Sequence, residues 1–268
     1  MLAEVHLSTL TGLARITMHR QGQEQVTMTA AQPVSPVTEG IRSLEVRWIF
    51  PGRLDTAVAG WFARFPAELE TREDTYLLSP RLRGLSVKLR AGAALEVKAY
   101  QGSPGILDMA GCARGRMESW RKWAFPFGPP SQGGRDPAGW RLVRKTRRIS
   151  RFSLASGPIR VYGQGPGEEP GCAAELTEVL SRGEAWWTLG FESVGPPHLL
   201  RSQLEAAAAL VFAETLPGER EPGLNDSRSY AEWLLQWPGA GDNNTQALLP
   251  APQPDPLPFH FGPGQSTP

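Results

Sequence analysis

The sequence predicts an α+β domain built on an antiparallel β-barrel, and three observations carry that prediction. Short segments that alternate apolar and ionic residues recur along the chain, turn residues separate them at hairpin spacing, and only three segments show helical periodicity. With 268 residues the chain is long enough for one large domain with a sizeable core.

Residues 1–40 are polar and irregular, and read as a flexible leader. SLEVRWIF (43–50) is the first convincing strand. It places Ser43, Glu45, Arg47 and Ile49 on one face and Leu44, Val46, Trp48 and Phe50 on the other, and Pro51-Gly52 stops it. LDTAVAGWFARF (54–65) carries Leu54, Val58, Trp61, Phe62 and Phe65 at the spacing of an amphipathic helix. ETREDTYLL (70–78) leads into a further strand. RLRGLSVKLRAGAALEVKAY (81–100) is a hairpin reversing at Ala91-Gly92-Ala93. Ser86, Lys88 and Arg90 share a face of its first strand, and Glu96, Lys98 and Tyr100 share a face of its second.

A polar passage, 101–111, precedes CARGRMESWRKWAF, where Arg114, Arg116 and Glu118 alternate toward one side. The register there leaves Glu118 open between barrel lining and surface. WRLVRKTRRISRFSL (140–154) is a basic strand with Arg141, Lys145, Arg147, Arg148 and Arg151. Residues 172–194 form a strand pair about Arg182-Gly183, with Glu175 and Thr177 on one face of the first strand and Thr188, Gly190 and Glu192 on one face of the second. Helices are expected at 199–216, ended by Pro217-Gly218, and at 229–237, capped by Ser229. From 239 to 268 the composition is Pro/Gly/Asn/Gln-rich, as in disordered tails, which leaves 41–238 as the folded domain.

Lys and Arg number 28 against 27 Asp and Glu, so no global field points to nucleic acid or an anionic membrane. The basic strand carries no RNP or KH signature, so nucleic acid is not an expected partner. GQGPGE lacks the lysine end of a Walker loop. Cys112 and Cys172 match no metal spacing and read as small apolar residues. The four histidines form no HExxH and no triad. No apolar run reaches the length of a membrane span, and the first twenty residues lack the hydrophobic core and cleavage site of a secretory signal. A cytoplasmic protein is expected. Trp120, Trp123, Trp186 and Trp187 read as packing residues, as do Tyr76 and Tyr100, while Glu178 and Glu184 are assigned to the outer surface.

Charged side chains that point into a closed barrel must pair with each other or with a ligand, because each bare charge there costs several kcal/mol. Lys88, Arg90, Lys98, Arg114, Arg116, Lys145 and Arg147 would make such an interior cationic, with Glu45, Glu96, Glu118, Glu175 and Glu192 as its carboxylates. A lining of this kind suits a polyphosphate held by arginine and lysine beside a divalent metal bound by oxygens. An open sheet with one wet face produces the same alternation, and alternation alone favours it.

The order of the pieces resembles the CYTH domain, the triphosphate tunnel metalloenzyme superfamily, over about 41–238. SLEVRW stands where the family has ExExK, and REDTYLLSP resembles its D-x-Y-x-x-x-P run. VKLRAGAALEVKAY resembles its LRIR…LTLK pair through Lys88, Arg90 and Lys98. RKTRR, CAAELTEV and WWTLGFESVG resemble its late basic and acidic strands, and SYAEWL its C-terminal helix. The resemblance implies an eight-stranded antiparallel tunnel with peripheral helices that hydrolyses inorganic or organic triphosphates with Mg2+ or Mn2+.

On that basis Glu45 and Glu96 are the candidate catalytic residues, and Glu45, Glu175 and Glu192 the candidate metal ligands. Arg47, Lys88, Arg90, Lys98, Arg114, Arg116, Lys145 and Arg147 are the candidate substrate clamps. Ser43 stands where the first glutamate of ExExK would be, and the late acidic pair keeps only Glu192, so the metal half departs further from the family than the phosphate half. The alternative is a CYTH-like module that binds a nucleotide, polyphosphate or other polyanion without turnover.

Overall fold

The computed structural model describes residues 3–7, 14–18, 40–126, 139–153, 160–163, 170–218 and 221–236. In the segment expected to be an irregular leader, β1 (Ala3–Leu7) and β2 (Ala14–Met18) pair as a two-stranded antiparallel ladder. The domain proper begins with β3 (Ile41–Pro51), α1 (Thr56–Phe62), β4 (Glu68–Leu77) and β5 (Leu85–Arg90). It continues through β6 (Ala94–Met109), β7 (Ala113–Pro126), β8 (Trp140–Ser153), β9 (Arg160–Tyr162), β10 (Gly171–Ser181) and β11 (Glu184–Val194). It ends with α2 (Leu200–Val211) and α3 (Tyr230–Gln236).

Eight strands pair antiparallel in the order β10-β11-β3-β7-β6-β5-β4-β8, and β8 pairs back onto β10. The sheet therefore closes, as the barrel expectation required, and the open-sheet alternative falls. The short β9 adds to β8 outside the ring. The central hairpin is present and turns where expected, with Lys88 facing Glu96 and Ser86 facing Lys98, and Ala91 and Gly92 take positive φ at its turn.

The main apolar core lies outside the barrel. Val46, Trp48 and Phe50 of β3 join Leu176 of β10 and Leu189 and Phe191 of β11 against Phe62 of α1 and Leu204, Ala208 and Val211 of α2. Alternation along each strand sends the ionic residues the other way, into the ring. A second cluster stoppers the interior at one end, where Ile49, Val143 and Val179 meet Trp233 and Leu234 of α3. Arg141 donates to the Leu234 carbonyl at 3.0 Å, satisfying an orphan acceptor near the end of that helix. Ser229 accepts from the Glu232 amide, the cap expected from the sequence.

Two expectations need correction. The polar passage 101–111, to which no strand was assigned, is largely strand: β6 runs on to Met109 and pairs with β7 along its whole length. Its pattern was hidden by register shifts around Gly102 and Gly105, whose φ of 125° and 126° a non-glycine residue rarely adopts, and beyond them Leu107 is buried in the core. Helix α2 stops at Val211, one turn short of the expected Leu216; Phe212 and Leu216 are nonetheless buried against the same core. The GQGPGE segment beyond Gly163, most of the 128–139 segment and the residues from 237 lie outside the described residues.

Candidate anion site in the barrel

Six consecutive strands of the domain each deliver cations to one interior cavity of about 90 Å3. Arg47 comes from β3, Arg72 from β4, Lys88 from β5, Lys98 from β6, Arg116 from β7, and Lys145 and Arg147 from β8; Arg228, just before α3, joins them. Glu45, Glu118, Glu175 and Glu192 are the carboxylates on the same wall. The positions follow from period-two alternation: Glu45 and Arg47 share the inner face of β3, as do Lys145 and Arg147 on β8.

The charges form linked clusters. In the first, Arg47 reaches Glu175 Oε1 at 3.2 Å and donates to Thr188 Oγ1 at 3.0 Å, while Arg147 pairs with both Glu175 and Glu70. Thr177 Oγ1 also donates to Glu175, at 2.6 Å. Gly190 makes this possible. It lies between Arg47 and Glu175 across the sheet, and a Cβ there would sit 3.0 Å from the Arg47 guanidinium carbon. Burial works against ionisation of Glu175, yet the two arginines hold its carboxyl well below the usual range.

The second cluster centres on Asp74, fully buried and reached by Lys145 at 3.1 Å, Arg72 Nε at 3.2 Å and Lys88 at 3.4 Å. Lys145 also donates to the Tyr76 hydroxyl at 2.7 Å and stands 3.8 Å above the Tyr230 ring. Burial drives the Lys145 pKa well below the usual lysine range, with Asp74 offsetting this only in part and Lys88 and Arg72 adding repulsion.

Toward the opposite side, Glu96 takes Lys88 at 2.8 Å and Arg90 at 2.9 Å. Burial disfavours its charge, but these two cations pull its pKa down to about 2. Glu45 and Glu192 face each other in register, and Lys98 Nζ lies 2.6 Å from the first and 3.1 Å from the second. Arg116 reaches Glu118 at 3.0 Å and pairs with Glu232 of α3. Burial raises the Glu118 pKa, Arg116 opposing and Glu232 reinforcing the shift.

Most sequence-predicted residues therefore meet in one place: Glu45, Arg47, Lys88, Lys98, Arg116, Lys145, Arg147, Glu175 and Glu192 all line the cavity, and Glu118 resolves as lining. Three do not. Arg114 is more than half exposed and pairs with Asp108 at 3.1 Å, because its end of β7 pairs with the extended part of β6. Arg90 is a partly exposed residue beside the turn, and Glu96 stands behind Lys88 and Arg90 rather than on the cavity wall. A carboxylate pinned by two cations at a pKa of about 2 is a poor base near neutrality, which counts against the catalytic role expected for Glu96.

Sequence reasoning missed Arg72, Asp74, Glu70, Arg228 and Tyr230. The first three were readable, since Glu70, Arg72, Asp74 and Tyr76 alternate along β4. Arg228 and Tyr230 lie at the start of α3, where no periodicity announces the direction of a side chain.

The oxygen donors bear on a divalent ion unequally. Among the described residues, no three His, Cys, Asp or Glu side chains group as a metal site. Glu175 is committed to Arg47, Arg147 and Thr177 and does not fit as a ligand. Glu45 and Glu192 do fit a single hard cation, since Mg2+ is commonly held by one or two carboxylates together with substrate phosphates.

No family model and no curated protein matches the chain. Solved structures do. A conserved hypothetical protein from Pyrococcus furiosus aligns at 17% identity over 70% of this chain and 98% of its own, with a TM-score of 0.36. A Pyrococcus horikoshii protein aligns at 15% identity over 72% and 98%, with a TM-score of 0.39. The mimivirus capping enzyme triphosphatase aligns at 10% identity over 66% and 92%, with a TM-score of 0.36. These similarities are distant, and the functional argument stands on the geometry of the barrel itself. Among the described residues no helix is long and apolar enough to cross a membrane.

Proposed function

We propose that the barrel binds a triphosphate-class polyanion and hydrolyses it with one divalent cation, Mg2+ or Mn2+, held by Glu45 and Glu192. The observation that carries this reading is the content of the interior. Small barrels have their interiors filled by packed side chains, whereas this one keeps an open space lined, among the described residues, by eight cations and four carboxylates, most of them in ion pairs. Buried pairs gain little over an apolar core of the same volume, so stability does not account for them. A compact anion that exchanges for internal carboxylates at Arg47, Lys88, Lys145 and Arg147 does.

In this reading Arg47 and Arg147 offer planar forks to phosphoryl oxygens, and Lys88 and Lys145 act as point charges. The divalent cation, when bound, neutralises charge developing on the phosphoanhydride and lowers the pKa of a coordinated water. Glu45 and Glu192 orient that cation. Phosphate release from inorganic tripolyphosphate with Mg2+ or Mn2+ tests the proposal: Glu45→Gln and Glu192→Gln should each abolish turnover while leaving tripolyphosphate binding in place. Unchanged turnover in both variants would refute the metal assignment.

A second reading, binding without turnover, is favoured by one specific observation. Ser43 and Gly190 occupy inner-face positions beside Glu45 and Glu192, so neither position supplies a further carboxylate. Tripolyphosphate binding with no phosphate release under any divalent cation would select it.

A further inference from the structure

We propose that Lys98 is the resident counter-cation of the Glu45–Glu192 pair, and that it makes the site refuse a divalent cation until an anion has drawn its ammonium away. This rests on the proposed function and adds to it an order of binding, anion before metal, together with the residue that enforces the order.

Glu45 and Glu192 are direct cross-strand partners on β3 and β11, so their carboxylates stand side by side on one inner surface. Like charges placed opposite each other in a sheet repel. Lys98 reaches over from β6 and spans the two, at 2.6 Å to Glu45 Oε1 and 3.1 Å to Glu192 Oε1. Ser43 Oγ donates to the same Glu45 oxygen at 2.7 Å, so that oxygen already holds two hydrogen bonds. Lys122 lies directly across the β6–β7 ladder from Lys98 and adds a second positive charge to the field at Glu192.

A divalent ion bridging the two carboxylates would occupy the space that the Lys98 ammonium fills. It would bring two positive charges against the one already there, with a second lysine close by. Simple competition therefore disfavours the metal alone. A polyanion changes the balance, because Lys98 lines the same cavity as Lys88 and Arg147 and its flexible stem lets the ammonium turn from the carboxylates to a phosphoryl oxygen. The turn frees Glu45 and Glu192 as oxygen donors and places phosphate oxygens beside them, which supplies the remaining hard ligands that Mg2+ requires.

The test uses Mn2+ alone, read as loss of the free-ion electron paramagnetic resonance signal on titration into the full chain. Wild type should leave the signal unchanged. Lys98→Met should bind Mn2+ at least about tenfold more tightly, since removing a competing charge raises the effective ligand charge of the site. Should that variant fail to fold by circular dichroism, Lys98→Gln takes its place, because an amide keeps donors for both carboxylates without the charge. The uptake gained must disappear when Glu192→Gln is added.

Equal uptake by wild type and the Lys98 variants, or uptake that survives Glu192→Gln, overturns the proposal. Tripolyphosphate in the presence of EDTA provides the independent arm, read as a rise in unfolding temperature of wild type. Absence of that rise overturns the anion reading itself, whereas equal Mn2+ uptake overturns only the role given to Lys98.

Discussion

Glu175→Gln separates a structural counter-ion from a metal ligand. Glu175 holds Arg47 at 3.2 Å and Arg147 on its other oxygen, with little solvent contact. At an effective dielectric of about 20, a unit pair at that separation attracts with about 5 kcal/mol, from which the cost of desolvating both partners is subtracted. Removing one member of a buried pair typically costs about 3–5 kcal/mol, and the amide, which still accepts from Thr177, belongs at the low end. In a domain of this size each kcal/mol lowers the unfolding temperature by about 2–4 °C, so a fall of about 6–12 °C is expected. The two arginines released by the change should then attract an anion more strongly. Tripolyphosphate should raise the unfolding temperature of the variant by more than it raises that of wild type, measured by differential scanning fluorimetry. A variant that unfolds within a degree or two of wild type would refute the counter-ion role. A variant that no longer responds to tripolyphosphate would show that Glu175 serves binding itself, a role beyond the counter-ion and beyond the metal ligand expected from the sequence.

Acid should destabilise the fold well below neutrality. Glu96 and Glu192 have pKa values lowered to about 2 from the usual range near 4.5; their stabilisation is complete above the unfolded value and is lost as pH falls toward 2, by up to about 3 kcal/mol each, readable by urea unfolding at stepped pH. Anion binding should raise the depressed pKa of Lys145, since an added negative charge favours its ammonium. Tripolyphosphate affinity, read by calorimetric titration at stepped pH, should therefore fall as pH rises through the range where Lys145 loses its proton, and Lys145→Met should remove that dependence. Gly115→Ala should destabilise by about 1–3 kcal/mol without touching the cavity, because its Cβ would lie 2.5 Å from Val46 and 2.6 Å from Trp48 in the core. Leu204→Ala, on the buried face of α2, should cost about 2–5 kcal/mol by leaving a cavity between helix and barrel, and should likewise leave tripolyphosphate binding intact in the folded fraction.

Much of this architecture was legible in the alternation of single strands. SLEVRWIF divides into an outer row that packs on the helices and an inner row that carries Glu45 and Arg47, as a period of two requires. What alternation does not encode is closure, because a wet sheet face and a filled barrel read alike; the β8–β10 ladder decides between them. The extension of β6 was hidden because the shifts around Gly102 and Gly105 break the period just where the strand crosses toward the outer core. Arg114 was misplaced for the same reason, its pairing partners on β6 lying in a passage to which no strand was assigned. Site residues were recovered where charges alternate on one strand, as with Lys145 and Arg147, except on β4, where Glu70, Arg72 and Asp74 alternate in the same way and were passed over. They were lost where α3 brings Tyr230 and Arg228 back to the cavity, a tertiary approach with no local signature. Gly190 was seen only as a missing acid, whereas in the fold its small size is what lets Arg47 reach Glu175 across β11.

The most direct test of the central claim is calorimetric titration of tripolyphosphate into the wild-type chain in EDTA, at low and at raised salt, alongside Arg147→Ala. The account predicts one saturable site whose affinity falls as salt rises, because several lysines and arginines carry it, and which is lost or greatly weakened without Arg147. No saturable heat, or binding indifferent to both salt and Arg147, would mean that the ionic interior serves no anion and would contradict the claim.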